Sequence, residues 1–212
     1  MSESMASHSG RAPQRSVIST VRLETFCDAV IAIVITLLVL EIHVPVAESD
    51  SDLVTQLGHQ WPSYFGFALS FVTIGIMWVN HHHMFHDIER VDHVFLILNL
   101  LLLLSLSFIP FSTAVLAQNL ENADTRFVAT LLYGGCFVAT AILFNAVWNY
   151  AAIGRRLLRP DVSDTRIRRR TTRYLFGPVL YGATLPLGLV TPIAALTVYV
   201  MLALLYLLPI DD

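Results

Sequence analysis

The chain of 212 residues contains no lysine, so all thirteen of its basic residues are arginines. Charged residues make up only 14% of the chain, whereas hydrophobic residues make up 55%. A soluble globular domain carries roughly 25% charged residues, so this composition is typical of an integral membrane protein instead. The sequence has only two cysteines, Cys27 and Cys136, and both lie in apolar segments. This excludes a disulfide framework and a C-x-x-C metal site.

Charge is missing altogether from the last apolar stretch, residues 174–210. As one helix it would be roughly 55 Å long, almost twice the thickness of a hydrocarbon core, so we interpret Gly188 to Pro192 as a break between two spans. With the four apolar segments before it, this predicts an all-α integral membrane protein with six transmembrane helices in one domain, residues 21–210. The predicted spans are about 22–45, 61–80, 94–117, 127–153, 174–189 and 193–208. Pro110 predicts a kink in the third.

The polar segments between these spans show a strong arginine bias. If the N-terminus is cytosolic, twelve of the thirteen arginines lie on the cytosolic side and only Arg126 lies outside. Because short cytosolic loops are rich in arginine, the bias predicts a multi-pass protein of the cell membrane with both termini in the cytosol. Residues 1–20 have no apolar run, so we expect a disordered cytosolic tail and no cleavable signal peptide.

Eight of the arginines fall within residues 155–173, which we interpret as a loop. On this interpretation every arginine cluster lies in a loop, so no voltage-sensing helix is expected. Membrane orientation alone accounts for the basic segment, although such a segment could also bind anionic lipid. Nucleic acid is not an expected partner.

The first apolar segment carries acidic residues at its start, including Asp28, which would lie at or inside the membrane boundary. At about 100° per residue, Ile33, Leu37 and Leu40 share one narrow helical stripe, with Thr36 on its shoulder. Asp28 lies roughly 140–180° away from the Ile33–Leu37 stripe. The two faces of this helix therefore have different partners. On periodicity alone, the stripe is compatible with ordinary packing as well as with a pore.

The same segment contains the motif R-x-x-x-F-C-D, from Arg22 to Asp28. It resembles the R-x-x-x-F-S-D signature of the endosomal and lysosomal potassium channel family (transmembrane protein 175 type) and its single-repeat bacterial homologues. The continuation A-V-x-A-I-x-x-T-L, from Ala29 to Leu37, is also similar to that family's first helix. Cys27 replaces the family's serine; it is of similar size but a weaker hydrogen-bond donor. The resemblance covers about residues 22–110.

The resemblance implies a passive, potassium-preferring cation channel without a T-V-G-Y-G filter. In the family the first helix lines a central pore, which implies that Ile33, Leu37 and Leu40 form a hydrophobic constriction and that Thr36 supplies a selective hydroxyl layer. One repeat per chain implies a homotetramer. The implied partners are other copies of the chain, the lipid bilayer, and potassium and other monovalent cations. Neither a cofactor nor an enzymatic activity is expected.

The resemblance implies a structural role for the motif, since in the family it tethers the pore helix to neighbouring spans. An unpaired Asp28 would be costly in a membrane, so we expect it to have a partner. The implied anchoring residues are Arg22, Phe26, Cys27 and Asp28 in the first span, with Asn80, His81, His82 and Asn99 as candidate partners.

The consecutive histidines His81, His82 and His83 allow an alternative hypothesis, a secondary transporter of protons or divalent cations that also uses Asp28. Adjacent helical residues point about 100° apart, so the three rings cannot converge on one ion within a helix. Carriers usually show internal repeats and ionisable groups at the membrane midplane, whereas these spans are nearly free of charge there. The Trp78-x-x-His81-His82-x-x-Phe85 pattern resembles the end of the family's second span, and this resemblance implies hydrogen bonding by the histidines rather than a metal site.

The topology can be tested by thiol labelling in intact cells. A reagent that cannot cross the membrane should modify a Ser51→Cys variant but not a Ser163→Cys variant, since we expect only the first position to lie outside. Labelling of Ser163→Cys alone would contradict the six-span topology.

Overall fold

The apolar segments form helices, with one additional short helix between the first and the second. The computed structural model describes residues 19–207. Its α-helices are α1 (Thr20–Leu37), α2 (Asp50–His59), α3 (Trp61–His86), α4 (His93–Ser107), α5 (Ile109–Asn119), α6 (Arg126–Ala152), α7 (Asp164–Val190) and α8 (Pro192–Leu207). The predicted tail, residues 1–20, lies outside the described residues except for its last two.

Hydroxyl caps begin the two N-terminal helices. The Ser19 side chain accepts a hydrogen bond from the Arg22 backbone N–H at the start of α1, and Ser49 does the same for Asp52 at the start of α2. Such caps satisfy backbone donors that have no partner within the helix. α1 then tightens into a 3₁₀ turn, Leu38–Glu41, where the apolar segment ends.

The third apolar segment is broken into two helices at Phe108. Pro110 lies in the first turn of α5, where its missing N–H costs no helical hydrogen bond. Within a continuous helix the same ring would clash with the carbonyl of Leu106. The break expected from Pro110 is therefore present, and it separates α4 from α5.

The interpretation of residues 155–173 as a loop is wrong for the second half of that segment. α7 begins at Asp164, and Ser163 Oγ accepts a hydrogen bond from the backbone N–H of Arg166. An acidic residue in the first turn favours a helix start, and arginine is a good helix former. Five arginines therefore lie on the first three turns of α7. An arginine cluster therefore lies on a helix, in contrast to the expectation that every cluster lies in a loop.

Four helical segments in the described part of the chain are long and apolar enough to cross a membrane. They are Thr20–Glu41, Trp61–His86, His93–Asn119 and Arg126–Arg155, and Ala194–Ala203 is a shorter apolar helix. The charged start of α7 and the short length of α8 leave the predicted number of six spans open.

α6 lies at the centre of the helical packing, where it contacts α4, α5 and α7. Its side chains Tyr133, Phe137 and Trp148 are almost completely buried. Two polar contacts join α6 to α7: Trp148 Nε1 donates to Thr171 Oγ1 at 2.8 Å, and Asn145 Nδ2 donates to the Tyr174 carbonyl at 2.6 Å. These bonds satisfy buried donors and set α7 beside α6.

Gly66 allows α3 and α5 to approach closely. A Cβ atom at this position would lie 3.2 Å from Thr113 Cγ2, whereas a Cβ at Gly75 of the same helix would meet nothing within 4 Å. One turn further along α3, Ser70 Oγ lies 2.8 Å from Thr113 Oγ1 and 3.1 Å from the Tyr133 hydroxyl. Small and hydroxyl-bearing residues are characteristic of helix contacts in membranes.

We expect Gly66→Leu to destabilise the protein by about 1–3 kcal/mol, because the new side chain must push α5 away from α3. Gly75→Leu is the matched control, since it makes the same exchange in the same helix without a neighbour to displace. The measurement is thermal unfolding in detergent. Equal melting temperatures for the two variants would show that the α3–α5 approach is not tight.

Candidate functional site: the first helix and its anchor

The inner face of α1 is buried. Its residues recur every three or four positions, pack against α3 and α4, and have at most 5% of their surface exposed: Leu23, Cys27, Ile31, Val34 and Leu38. This spacing places them along one side of the helix.

A second, apolar stripe of α1 continues into the 3₁₀ turn that follows it and is uncovered within the subunit. The exposed fractions of Ile33, Leu37 and Leu40 are 57%, 41% and 72%. Phe26 is exposed on the same face. The structure thus brings the three predicted constriction residues together on one surface. A contiguous apolar patch of this kind is typical of a surface that contacts lipid or another protein.

Thr36 is exposed beside this stripe, and its hydroxyl donates to the carbonyl of Ile33 at 2.8 Å. The hydroxyl proton is therefore used within the helix. The oxygen of a threonine hydroxyl also has two lone pairs, which remain able to accept a donor or to contact a cation.

Asp28 is anchored by a residue that sequence reasoning did not select. The indole Nε1 of Trp78 donates to Asp28 Oδ1 at 3.0 Å. The expected partners Asn80, His81, His82 and Asn99 make other bonds instead. Trp78 lies one turn before His82 on α3, and its place in the Trp78-x-x-His81-His82 pattern is the signal in the sequence that could have indicated this contact.

The polar contacts of the motif centre on Asn99 of α4, which is fully buried. Its Oδ1 atom lies 3.2 Å from His81 Nε2 and 3.9 Å from Cys27 Sγ. Because an amide oxygen can only accept, the Nε2 atom of His81 carries the proton. Asn99 Nδ2 donates to the Phe95 carbonyl at 2.8 Å. One amide therefore joins α1, α3 and α4.

The remaining predicted anchors differ in what they contact. His82 Nδ1 lies 3.1 Å from Glu24 Oε1 at the exposed start of α1, which adds a second contact between α1 and α3. Asn80 forms hydrogen bonds within α3 and to α7: its side chain donates to the Ile76 carbonyl, and its own carbonyl accepts from the Tyr174 hydroxyl of α7. Arg22 is exposed at the start of α1.

The consecutive histidines point to different partners. His81 contacts Asn99, His82 contacts Glu24, and the backbone carbonyl of His83 accepts a bond from Arg170. Within residues 19–207, no group of three or more His, Cys, Asp or Glu side chains is placed to hold a metal ion.

Comparison with known proteins agrees with the motif. Residues 22–110 match the family described as endosomal/lysosomal potassium channel TMEM175. A potassium channel of Chamaesiphon minutus is 42% identical over 200 residues, which cover 93% of this chain and 97% of that protein. The chain belongs to the TMEM175 family. A potassium channel of Streptomyces collinus is also similar, with 40% identity over 185 residues that cover 87% of this chain and 90% of that protein.

Solved structures of TMEM175 proteins share the fold. The crystal structure of a lysosomal potassium-selective channel TMEM175 homologue from C. minutus has a TM-score of 0.80 at 41% identity, covering 88% of this chain and 95% of that one. A variant of the potassium channel MtTMEM175 has a TM-score of 0.62 at 24% identity, which supports the fold alone. The endosomal/lysosomal proton channel TMEM175 of Gallus gallus is 30% identical over 147 residues, only 29% of its length.

Replacing Asp28 with alanine removes the acceptor of the Trp78 indole. We expect Asp28→Ala to lower stability by about 1 kcal/mol and to reduce assembly, because α1 loses a contact to α3. Ion preference in the remaining intact protein should be unchanged, since Asp28 lies away from the uncovered stripe.

The measurements are thermal unfolding, size in detergent and ion flux. Asp28→Asn keeps an acceptor oxygen and should be milder. An intact Asp28→Ala assembly that loses only its ion preference would place this carboxylate in the ion path and refute the assignment of faces.

Proposed function

We propose that the protein is a passive, potassium-preferring cation channel in which four copies surround one pore lined by α1. The observation that carries this proposal is the contrast between the two faces of α1: Val34 and Leu38 are buried in the subunit, while Ile33, Leu37 and Leu40 remain uncovered. A ring of four copies would cover this stripe at a shared axis. The names of the C. minutus and S. collinus relatives as potassium channels support the same function.

The uncovered stripe accounts for a constriction. Four copies of Ile33, Leu37 and Leu40 around an axis would form narrow, poorly wetted rings. An ion that passes these rings must shed water without receiving a replacement ligand, so the barrier is mainly desolvation. Potassium binds its hydration water less tightly than sodium does, so its dehydration at this step costs less free energy. Thr36 oxygens next to the stripe would supply the polar contact that eases passage.

The full channel would use α7 and α8 as the fifth and sixth spans. The arginines at the start of α7 then lie at the cytosolic side, as does the N-terminus before α1, in accordance with the positive-inside preference. This orientation makes the protein a multi-pass component of the cell membrane with cytosolic termini. Its ligands are permeant potassium and other monovalent cations, and its function is conduction without a catalysed reaction or a resident cofactor.

Proton permeation is a second candidate, because TMEM175 relatives in animals are named proton channels. A carrier of protons or divalent cations that uses Asp28 and the histidines has less support, since His81 and His82 are paired within the subunit. Liposome flux separates these functions. A channel conducts potassium without a counter-ion gradient and faster than a carrier by orders of magnitude, and a pH-sensitive dye reports protons in the same vesicles.

Ile33 is the position at which the pore can be tested most directly. We expect Ile33→Asn to raise cation flux and to reduce discrimination between potassium and sodium, because the amide has similar bulk but can hold water and ions at the neck. The measurement is potassium and sodium flux into liposomes that contain purified, intact assemblies.

Val34→Asn is the matched control. It places the same amide one position along α1, but Val34 has only 2% of its surface exposed and packs inside the subunit. This variant should lose stability and leave the ion preference of the surviving assemblies unchanged. An intact Ile33→Asn assembly that conducts like the parent would contradict the constriction.

A further inference from the structure

A basic pocket of about 350 Å³ opens between the C-terminal end of α3 and the start of α7. Four arginines of α7 line it, together with polar groups from α3 and from the start of α7: Asn80, His83, Ser163, Thr165, Arg166, Arg169, Arg170, Arg173 and Tyr174. None of the contacts assigned above to the pore helix involves this pocket.

Two of the four arginines are held by a buried carboxylate. Asp87, whose side chain is 3% exposed, lies 3.2 Å from Arg166 Nη2 and 2.9 Å from Arg170 Nη1. A buried carboxylate needs such partners, so these two pairs serve the fold. Asp87 balances one of the four positive charges, and the pocket keeps a clear excess.

Arg173 provides the second observation. Its Nε atom is buried and has no hydrogen-bond partner among the described residues. Buried donors are almost always paired in folded proteins, so the guanidinium of Arg173, which lines the pocket, has a donor to offer to a ligand that accepts hydrogen bonds. Arg169 adds another positive charge to the same wall.

We propose that this pocket binds a phosphate group, carried by an anionic lipid headgroup or present as free phosphate. The guanidinium fork of Arg173 matches phosphate oxygens in geometry, and the surrounding arginines supply charge in a partly desolvated site. The pocket lies beside the last turns of α3, a transmembrane candidate, and therefore at the level of lipid headgroups.

A neighbouring cavity favours the lipid as the source of the phosphate. Asn80, Arg173 and Tyr174 also line a second, mostly apolar cavity that extends along α3 past Met77 to Thr73. A basic mouth that continues into an apolar cavity of about 70 Å³ between α3, α6 and α7 has the polarity of a phospholipid, with the headgroup in the mouth and the start of one acyl chain in the cavity.

The test measures the melting temperature of the full-length protein in detergent while the ligand is titrated at constant ionic strength. The probes are dioctanoyl phosphatidic acid, inorganic phosphate and zwitterionic dioctanoyl phosphatidylcholine. We expect phosphatidic acid to stabilise the parent protein, and Arg173→Gln to weaken the apparent affinity about tenfold, the equivalent of one charged hydrogen bond. Arg169→Gln should also weaken it.

Arg168→Gln is the matched control. Arg168 is exposed on the same turn of α7 as Arg169, but it does not line the pocket. It removes the same charge and should keep the parent affinity. If Arg173→Gln does not fold, Arg173→Lys replaces it, since lysine keeps the charge but lacks the Nε–H donor. A loss of affinity in Arg173→Lys supports the site.

The probes also separate the two sources of phosphate. A response to phosphatidic acid alone assigns the pocket to a lipid headgroup, and an equal response to inorganic phosphate assigns it to the free ion. An equal effect of phosphatidylcholine, an equal loss in Arg168→Gln, or parent affinity in both pocket variants would overturn the proposal.

Discussion

The rotation of α1 about its own axis is the constraint on which the rest of the arrangement depends. Buried apolar side chains along the inner face set this rotation, and the amide of Asn99 holds it by contacting Cys27 and His81 at once. A rotation of α1 by one residue, about 100°, would break these contacts and bury a different face. The uncovered apolar stripe therefore follows from the inner face, and so does the pore proposed from that stripe.

At the arginine-rich end of the molecule, a buried carboxylate determines the packing. The buried carboxylate of Asp87 forms ion pairs with Arg166 and Arg170. These pairs hold the start of α7 against the end of α3. The loop pairing nearby reinforces this, since the Asp87 carbonyl accepts from the backbone of Arg159 at 3.0 Å. This close approach brings Arg169 and Arg173 to the wall of one pocket. The contacts of one buried carboxylate thus place several arginines of a basic segment around one pocket.

Several features of α1 could be predicted from the sequence because they depend on periodicity within one helix. The grouping of Ile33 with Leu37 and Leu40, and the placement of Asp28 away from the Ile33–Leu37 stripe, follow from the angle per residue. Partners on other helices could not be predicted in this way. Trp78, and not any of the four expected residues, donates to Asp28, because the packing angle between α1 and α3 decides which side chain reaches the carboxylate. The helical start of α7 could not be predicted from its arginines, because closely spaced arginines occur both in cytosolic loops and in helices.

The sequence by itself determined the membrane class, the family motif and the division of α1 into two faces. Low charge, long apolar runs and local helical geometry are properties of the chain that need no knowledge of its neighbours. Only the tertiary structure decided which face of α1 is buried, which residues anchor Asp28, and which arginines surround a pocket. These outcomes depend on contacts between residues far apart in the chain, such as Cys27 with Asn99 and Asp87 with Arg170. Such contacts exist only once helices pack at defined distances and angles, and no local pattern encodes that packing.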